Sequence, residues 1–257
     1  MWIARIASAL VFLASLAAFA AEEPPAASRK PPERVIFVGN SLTQYNDLPA
    51  LVREIARSLD TRDRLETRQI SVGGAYLYQH EESLKQALAR GPKWDLVVLQ
   101  GYSDEPLESN PQAAERFRGS ARTLDRMIRD AGAKTALYMT WGYRLAFGMN
   151  DKIADAYRRL GKDLGAQVVP VGLAFDRAGS EARFVTLIER DGKHPTPAGS
   201  YLAACVFYAA LYGRSPEGAT FYGKIAREDA AQLQAIAWKT VKAFAQPDAT
   251  GADRAAR

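Results

Sequence analysis

Short apolar runs alternate with longer amphipathic segments along most of the chain. The clearest run, W-D-L-V-V-L-Q at residues 94–100, is continuously apolar at its centre, as expected of a strand covered on both faces of a sheet. Another run, R-V-I-F-V-G at residues 34–39, ends on a glycine. Runs of this kind predict five strands, at residues 34–39, 65–72, 94–100, 134–140 and 167–171.

The segments between these runs have the spacing of amphipathic helices. They predict helices at residues 48–60, 78–89, 111–131, 153–164, 198–212 and 227–245. Because strands that alternate with helices are typical of a parallel sheet, we predict an α/β fold. The expected architecture is a doubly wound sheet of about five parallel strands with helices on both faces, in one domain at residues 34–246.

The start of the chain has the organisation of a secretory signal peptide. Residues 1–20 begin with a short positive region, continue with apolar and small residues, and end on A-F-A at residues 18–20. We expect cleavage after Ala20 and a secreted or periplasmic protein, with an uncleaved membrane anchor as the alternative. A leader rich in Pro, Ala and charge follows at residues 21–33, and a polar tail occupies residues 247–257. Both have the composition of disordered segments.

The amino-acid composition excludes several classes of binding partner and cofactor. The formal net charge is +5, but basic and acidic residues are interleaved, so we expect no nucleic-acid partner. Cys205 is the only cysteine in the sequence, which rules out an intrachain disulfide, and we predict that it is a small buried side chain in an apolar helix. Two histidines and one cysteine do not suit a zinc site. Because nucleotide-binding glycine motifs are also missing from the sequence, we expect no metal and no cofactor.

Residues with the chemistry of nucleophilic catalysis lie after the first predicted strand and far downstream of the fifth. Ser41 comes after the first strand and a glycine and precedes a helix, which would expose its hydroxyl at the carboxyl edge of the sheet. His194 follows Asp191 by three residues in a turn that contains glycine and proline. The carboxylate could therefore hold one ring nitrogen and leave the other free. A serine is unreactive without a base, so Ser41 and His194 are interpreted jointly; a plain turn serine and a surface histidine are the alternatives.

Four blocks in this order resemble the SGNH (GDSL-type) hydrolase family. They are G-N-S-L-T at residues 39–43, Gly74, Gln100 and D-G-K-H at residues 191–194. The run H-P-T-P-A-G-S-Y after the last block, together with L-Q at residues 99–100, is similar to a bacterial subgroup of that family. The resemblance spans nearly the whole predicted domain. It implies a flavodoxin-like α/β fold and hydrolysis of esters, often acyl groups on carbohydrates or lipids.

Carried over by position, the resemblance assigns a role to each block. It implies that Ser41 is the nucleophile, that His194 is the base and that Asp191 orients the base. The backbone N–H groups of Ser41 and Gly74 would form part of the oxyanion hole. Where the family usually has Gly-x-Asn-Asp, this chain has Gln100 followed by G-Y-S-D. A glutamine amide offers the same N–H donor one methylene further out, so we predict Gln100 as the third donor, with a polar strand end as the alternative.

Further polar and aromatic residues near the strand ends are candidates for lining the substrate site. These are Asn40, Tyr76, Trp141 and Tyr143, and ordinary packing at a strand end is the alternative for the aromatic rings. We interpret the second histidine, His80, as a solvated helix position.

The residues and the resemblance together predict a serine ester hydrolase that acts through an acyl-Ser41 intermediate. The expected substrate is a small-molecule or carbohydrate ester, with an acyl or acetyl group on a carbohydrate or lipid. Two alternatives stay open, since a fold does not fix a function. One is an O-acyltransferase that uses the same residues, and the other is a non-catalytic carbohydrate-binding protein on the same fold.

Overall fold

A computed structural model describes residues 30–245 of the chain. The predicted signal peptide at residues 1–20, most of the predicted leader at residues 21–33 and the predicted tail at residues 247–257 lie outside the described residues.

A five-stranded, entirely parallel sheet forms the centre of the described chain, in the order β2-β1-β3-β4-β5. The strands are β1 Arg34–Gly39, β2 Glu66–Ser71, β3 Leu96–Leu99, β4 Lys134–Tyr138 and β5 Gln167–Val169. The predicted doubly wound α/β sheet is therefore confirmed. Val38 on β1 is in register with Leu99 on β3, so the residues that follow these two strands are neighbours at the carboxyl edge. This is the edge at which parallel sheets bind ligands.

Helices cover both faces of the sheet. They are α1 Ser41–Gln44, α2 Leu48–Leu59, α3 Glu81–Arg90, α4 Pro111–Asp130, α5 Met149–Leu164, α6 Val171–Glu181, α7 Pro197–Tyr212 and α8 Arg227–Ala245. Short 3₁₀ turns at Tyr45–Asp47 and Leu77–His80 precede α2 and α3.

Alternating side chains of each strand build two separate cores, because successive residues of a strand point to opposite faces. Val35 and Phe37 pack with α2, α6, α7 and α8. Ile36 and Val38 pack with α3, α4 and α5 on the other face. Helix α7 is buried along almost its whole length, and Cys205 within it is fully buried, as predicted.

Two sequence predictions require correction. Helix α6 was not predicted, and Val171, assigned to the fifth strand, is its first residue. Two glycines, Gly172 and Gly179, weaken the helical pattern there. His80, predicted as a solvated helix position, is 1 % exposed and lies at the end of a 3₁₀ turn. Burial lowers the pKa of His80.

The two glycines of α6 differ in the space that is available for a side chain. A Cβ atom at Gly172 would lie 2.2 Å from the carbonyl oxygen of Thr140, whereas a Cβ atom at Gly179 would meet nothing within 4 Å. We expect Gly179→Ala to raise the free energy of unfolding by about 0.5–1 kcal/mol, because alanine is the better helix former. Gly172→Ala should lower it by about 1–3 kcal/mol through overpacking. Urea denaturation of the two variants measures both changes, and equal effects would contradict the assigned packing of α6.

Candidate active site

Ser41 lies at the carboxyl edge of the sheet, two residues after the end of β1, as the first residue of α1. Asn40 is the N-cap of this helix, and its side-chain oxygen accepts a hydrogen bond from the N–H of Leu42 at 3.1 Å. Gly39 is required at the preceding position, because a Cβ atom there would lie 2.3 Å from the side-chain oxygen of Gln100. Strand, glycine and cap together fix the direction in which the Ser41 hydroxyl leaves the backbone.

His194 connects Ser41 to Asp191 through both of its ring nitrogens. Its Nε2 lies 2.9 Å from the Ser41 hydroxyl oxygen, and its Nδ1 lies 2.5 Å from a carboxylate oxygen of Asp191. The other oxygen of Asp191 accepts from the backbone N–H groups of Lys193 at 2.8 Å and of His194 at 3.0 Å. The His194 side chain, followed by these two N–H groups, lowers the pKa of Asp191 to about 2. Asp191 therefore stays ionised at neutral pH and can orient an imidazole or stabilise an imidazolium.

The loop that carries His194 is bonded to the segment that follows β4 and is continuous with α7. The indole N–H of Trp141 donates to the carbonyl of Lys193 at 2.9 Å, and the backbone N–H of Arg144 donates to the carbonyl of Gly192 at 3.0 Å. Thr196 caps α7, accepting from Gly199 N–H, as the sequence suggested. These bonds hold the base through its own backbone.

Trp141 does not line a substrate site, which corrects the prediction. Its side chain is 1 % exposed, and its ring stacks on Phe175 with the centroids 4.0 Å apart. Its contact with Lys193 makes it a support of the His194 loop.

Sequence reasoning missed the residues that hold His194 from the side of Ser41. The ring of Tyr45 stacks on the imidazole, with centroids 4.3 Å apart and planes 7° apart. The amide of Asn46 donates to the Ser200 hydroxyl at 2.9 Å and to the Pro195 carbonyl at 3.4 Å. Asn46 adopts a φ of 57°, a left-handed conformation that asparagine tolerates better than most residues. The Y-N-D sequence indicates a turn, but no local pattern indicates that the turn reaches a histidine far along the chain.

The backbone N–H groups of Ser41 and of Gly74 have no acceptor among the described residues. Gly74 has a φ of +73°, a conformation that favours glycine. Its loop is tied to the end of β1, because the N–H of Val72 donates to Gly39 at 3.2 Å and the amide of Asn40 donates to the carbonyl of Ala75 at 3.0 Å. The unpaired N–H groups are available to an oxygen bound beside Ser41.

Asn40 was predicted as a substrate-lining residue, and the structure contradicts this. Its side chain is 2 % exposed, and its amide group is already bonded to Leu42, Ala75 and Gln100. Asn40 therefore holds the backbone around Ser41 in place and does not face a substrate.

Gln100 is also buried, and its amide group has no free donor. Its oxygen accepts from the backbone N–H of Asn40 and from the hydroxyl of Thr43, both at 2.9 Å. Its nitrogen donates to the side-chain oxygen of Asn40 at 2.9 Å and to the carbonyl of Gly101 at 2.6 Å. Since an amide nitrogen carries two hydrogens, nothing is left to donate to an oxyanion at Ser41. The predicted third-donor role of Gln100 is therefore corrected to a supporting one.

Tyr76 and Tyr143 are partly buried at the rim of this edge. Tyr76 stacks between Tyr78 and Tyr102, at centroid distances of 6.2 and 5.1 Å. The hydroxyl of Tyr143 donates to Asp104 at 3.1 Å, and burial, followed by this carboxylate, raises its pKa. Both residues stay candidates for lining a substrate site.

A groove of about 570 Å³ lies between the segment after β4 and the end of α6, and its lining includes Trp141, Tyr143, Phe147, Asp176 and Arg183. Ser41 and His194 do not line it, so it is not the space in which this pair would act.

Within residues 30–245, no group of three or more His, Cys, Asp or Glu side chains could hold a metal ion. No helix in the same part of the chain has the length and apolar character to cross a membrane.

Comparisons with known proteins give several structural neighbours. No family model and no curated protein matches the chain. A solved structure from Slackia heliotrinireducens, assigned to the SGNH hydrolases, is 33 % identical, with a TM-score of 0.58, over 69 % of this chain and 98 % of its own. A Parabacteroides merdae protein assigned as a GDSL-like lipase is 16 % identical, with a TM-score of 0.56, over 70 % of this chain and 95 % of its own. An acetyl xylan esterase from Geobacillus stearothermophilus is 12 % identical, with a TM-score of 0.51, over 69 % of this chain and 91 % of its own. The last two show likeness of fold alone.

The supporting role of Gln100 predicts a loss of stability on substitution. Gln100→Ala should lower the free energy of unfolding by about 1–3 kcal/mol, because it leaves Asn40 with buried, unpaired polar atoms. Urea denaturation measures this change, and Gln86→Ala, at an exposed position of α3, serves as the control with little effect. A variant of unchanged stability that loses turnover alone would restore Gln100 as an oxyanion donor.

Proposed function

The chain belongs to the SGNH hydrolase family, and from this premise we propose that it hydrolyses carboxylic esters through a covalent acyl-Ser41 intermediate. The observation that carries the proposal is the unbroken hydrogen-bonded series from Asp191 through His194 to Ser41, with distances of 2.5 and 2.9 Å. The unpaired N–H groups of Ser41 and Gly74 supply the second requirement, which is a site for negative charge.

In the first half of the reaction, the Ser41 oxygen attacks the ester carbonyl carbon while its proton moves to Nε2 of His194. The π bond of the carbonyl breaks, and the carbonyl oxygen becomes an oxyanion that the N–H groups of Ser41 and Gly74 stabilise. One such donor is typically worth about 3 kcal/mol in the transition state. Collapse of the intermediate breaks the bond to the alcohol oxygen, which receives the proton from His194.

In the second half, water replaces the alcohol. His194 takes a proton from the water as it attacks the acyl carbon, and a second tetrahedral intermediate forms on the same N–H groups. When the bond to Ser41 breaks, His194 returns the proton to the serine oxygen and the carboxylic acid leaves. Asp191 keeps the ring in the tautomer that presents an unprotonated Nε2 to Ser41.

We infer that the substrate is an acyl ester of a carbohydrate. An acetyl xylan esterase has the same fold, so the fold is able to accommodate an ester of a carbohydrate. The exposed aromatic side chains near the strand ends support this substrate class, since Tyr45 is 40 % exposed and Tyr78 is 42 % exposed. Their rings combine an apolar face with a hydroxyl group, which suits a sugar that presents both C–H and O–H groups.

Ser41→Ala and His194→Ala test the proposal as a pair. Each variant should lose at least about 10³-fold in kcat on p-nitrophenyl acetate or acetylated xylo-oligosaccharides, and the double variant should lose little more, because the two residues act as one unit. Initial rates of ester hydrolysis measure this, with Ser83→Ala, at an exposed serine of α3, as the control that keeps wild-type activity. Losses that multiply in the double variant would show that the two residues act independently.

A further inference from the structure

Glu105 is a fully buried carboxyl group that the proposed reaction does not use. Its side chain is 0 % exposed, and it takes part in none of the ion pairs among the described residues. One of its oxygens, Oε1, has no hydrogen-bond partner in the described part of the chain. Burying a carboxylate without a cation is costly, so its presence beside the site requires an explanation.

The other oxygen, Oε2, joins two loops at the carboxyl edge. It accepts from the backbone N–H of Tyr102 at 3.0 Å and from the backbone N–H of Leu77 at 3.3 Å. Tyr102 belongs to the loop after β3, and Leu77 ends the loop that begins after β2 and contains Gly74. A carboxylate is a strong acceptor for two N–H donors at once.

Glu105 completes a set of three attachments on the Gly74 loop. The N–H of Val72 donates to Gly39 at one end of the loop, and the carbonyl of Ala75 accepts from Asn40 in the middle. Leu77 is held by Glu105 at the other end. Gly74 itself makes no hydrogen bond to a described residue, so its direction depends on these attachments.

We propose that Glu105 is a positioning residue that holds the N–H of Gly74 in place for the oxyanion of the proposed esterase reaction. The inference rests on the proposed function for its chemistry, but the attachment of the loop can be measured without any substrate. Displacement of a catalytic group by about 1 Å can cost on the order of 10²-fold in rate, so a clamp of this kind has a large effect on turnover.

The protonation of Glu105 also bears on the stability of the fold. Burial raises the pKa of Glu105, and the N–H groups of Tyr102 and Leu77 offset that effect only in part. A raised pKa means that the ionised form is less favourable in the folded chain than in the unfolded chain. The resulting stabilisation is present below the ordinary pKa of a glutamate and is lost as the pH rises through the raised value. The fold is therefore less stable at neutral pH than at acid pH because of this group, a cost expected of a residue kept for function.

Two substitutions at Glu105 test the clamp. Glu105→Ala removes the acceptor, and we expect kcat for a short acyl ester to fall about 10–100-fold, with KM changed less than about threefold. Amide hydrogen exchange in peptides covering residues 72–80 should become at least about tenfold faster, since the Leu77 end of the loop is released. Glu105→Gln keeps a weaker, neutral acceptor, so both changes should shrink to about two- to fivefold.

Asp125 supplies the matched control, because it is the buried carboxylate of α4 and lies away from Ser41. It is 5 % exposed and accepts from Thr135 at 2.7 Å and from Arg129 at 2.8 Å. Asp125→Ala should lower the stability of the fold but leave kcat and exchange in residues 72–80 at wild-type values.

Each outcome decides for or against the clamp. Wild-type exchange in residues 72–80 of a folded Glu105→Ala overturns it, whatever happens to turnover, and so does faster exchange with unchanged kcat. If the alanine variant does not fold, Glu105→Gln decides, because wild-type values of both exchange and kcat overturn the clamp. A wild-type chain that hydrolyses no ester would instead refute the proposed function, and exchange would still decide whether Glu105 holds the loop.

Discussion

Two buried amide groups, those of Asn40 and Gln100, bond to each other where β1 and β3 end, and the surroundings of Ser41 depend on this contact. Asn40 uses its remaining hydrogen-bonding atoms to cap the helix that Ser41 begins and to hold the Gly74 loop through Ala75. Because each atom of the pair faces a fixed backbone group, rotation of either amide would leave several buried polar atoms unpaired, which is costly. The nucleophile and the N–H groups beside it are thus set by one rigid network.

His194 reaches this network from a distant part of the chain, and a second set of contacts fixes its position. The loop is held through its backbone by Trp141 and through Pro195 by Asn46, while Tyr45 packs on the ring. A group held within a fraction of an ångström needs neighbours that are themselves fixed. Here the neighbours on one side come from the turn directly after α1, so the base is aligned by the segment that also carries the nucleophile.

Much of this arrangement was predictable, for identifiable physical reasons. The parallel sheet follows from the apolar runs, and the rule that ligands bind at the carboxyl edge points to Ser41. The pairing of Ser41 with His194 came from the chemistry of the two residues and from the family resemblance, because His194 lies in a loop between α6 and α7. Helix α6 was missed because Gly172 serves a close contact with Thr140 rather than helix propensity. The roles predicted for Asn40, Gln100 and Trp141 were wrong for a different reason. The sequence pattern of a polar or aromatic residue at a strand end does not depend on whether its side chain faces a ligand or a neighbouring loop. Long-range partners such as Tyr45 leave no local pattern at all.

The central claim is that Ser41 becomes covalently modified during turnover because His194 activates it. Labelling with a fluorophosphonate, followed by intact mass measurement and peptide mapping, tests this directly, since such a probe traps an activated serine nucleophile. The account predicts one label per chain, located on Ser41, and labelling that slows by at least about 10³-fold in His194→Ala. A label on another residue, or equal labelling rates with and without His194, would contradict it.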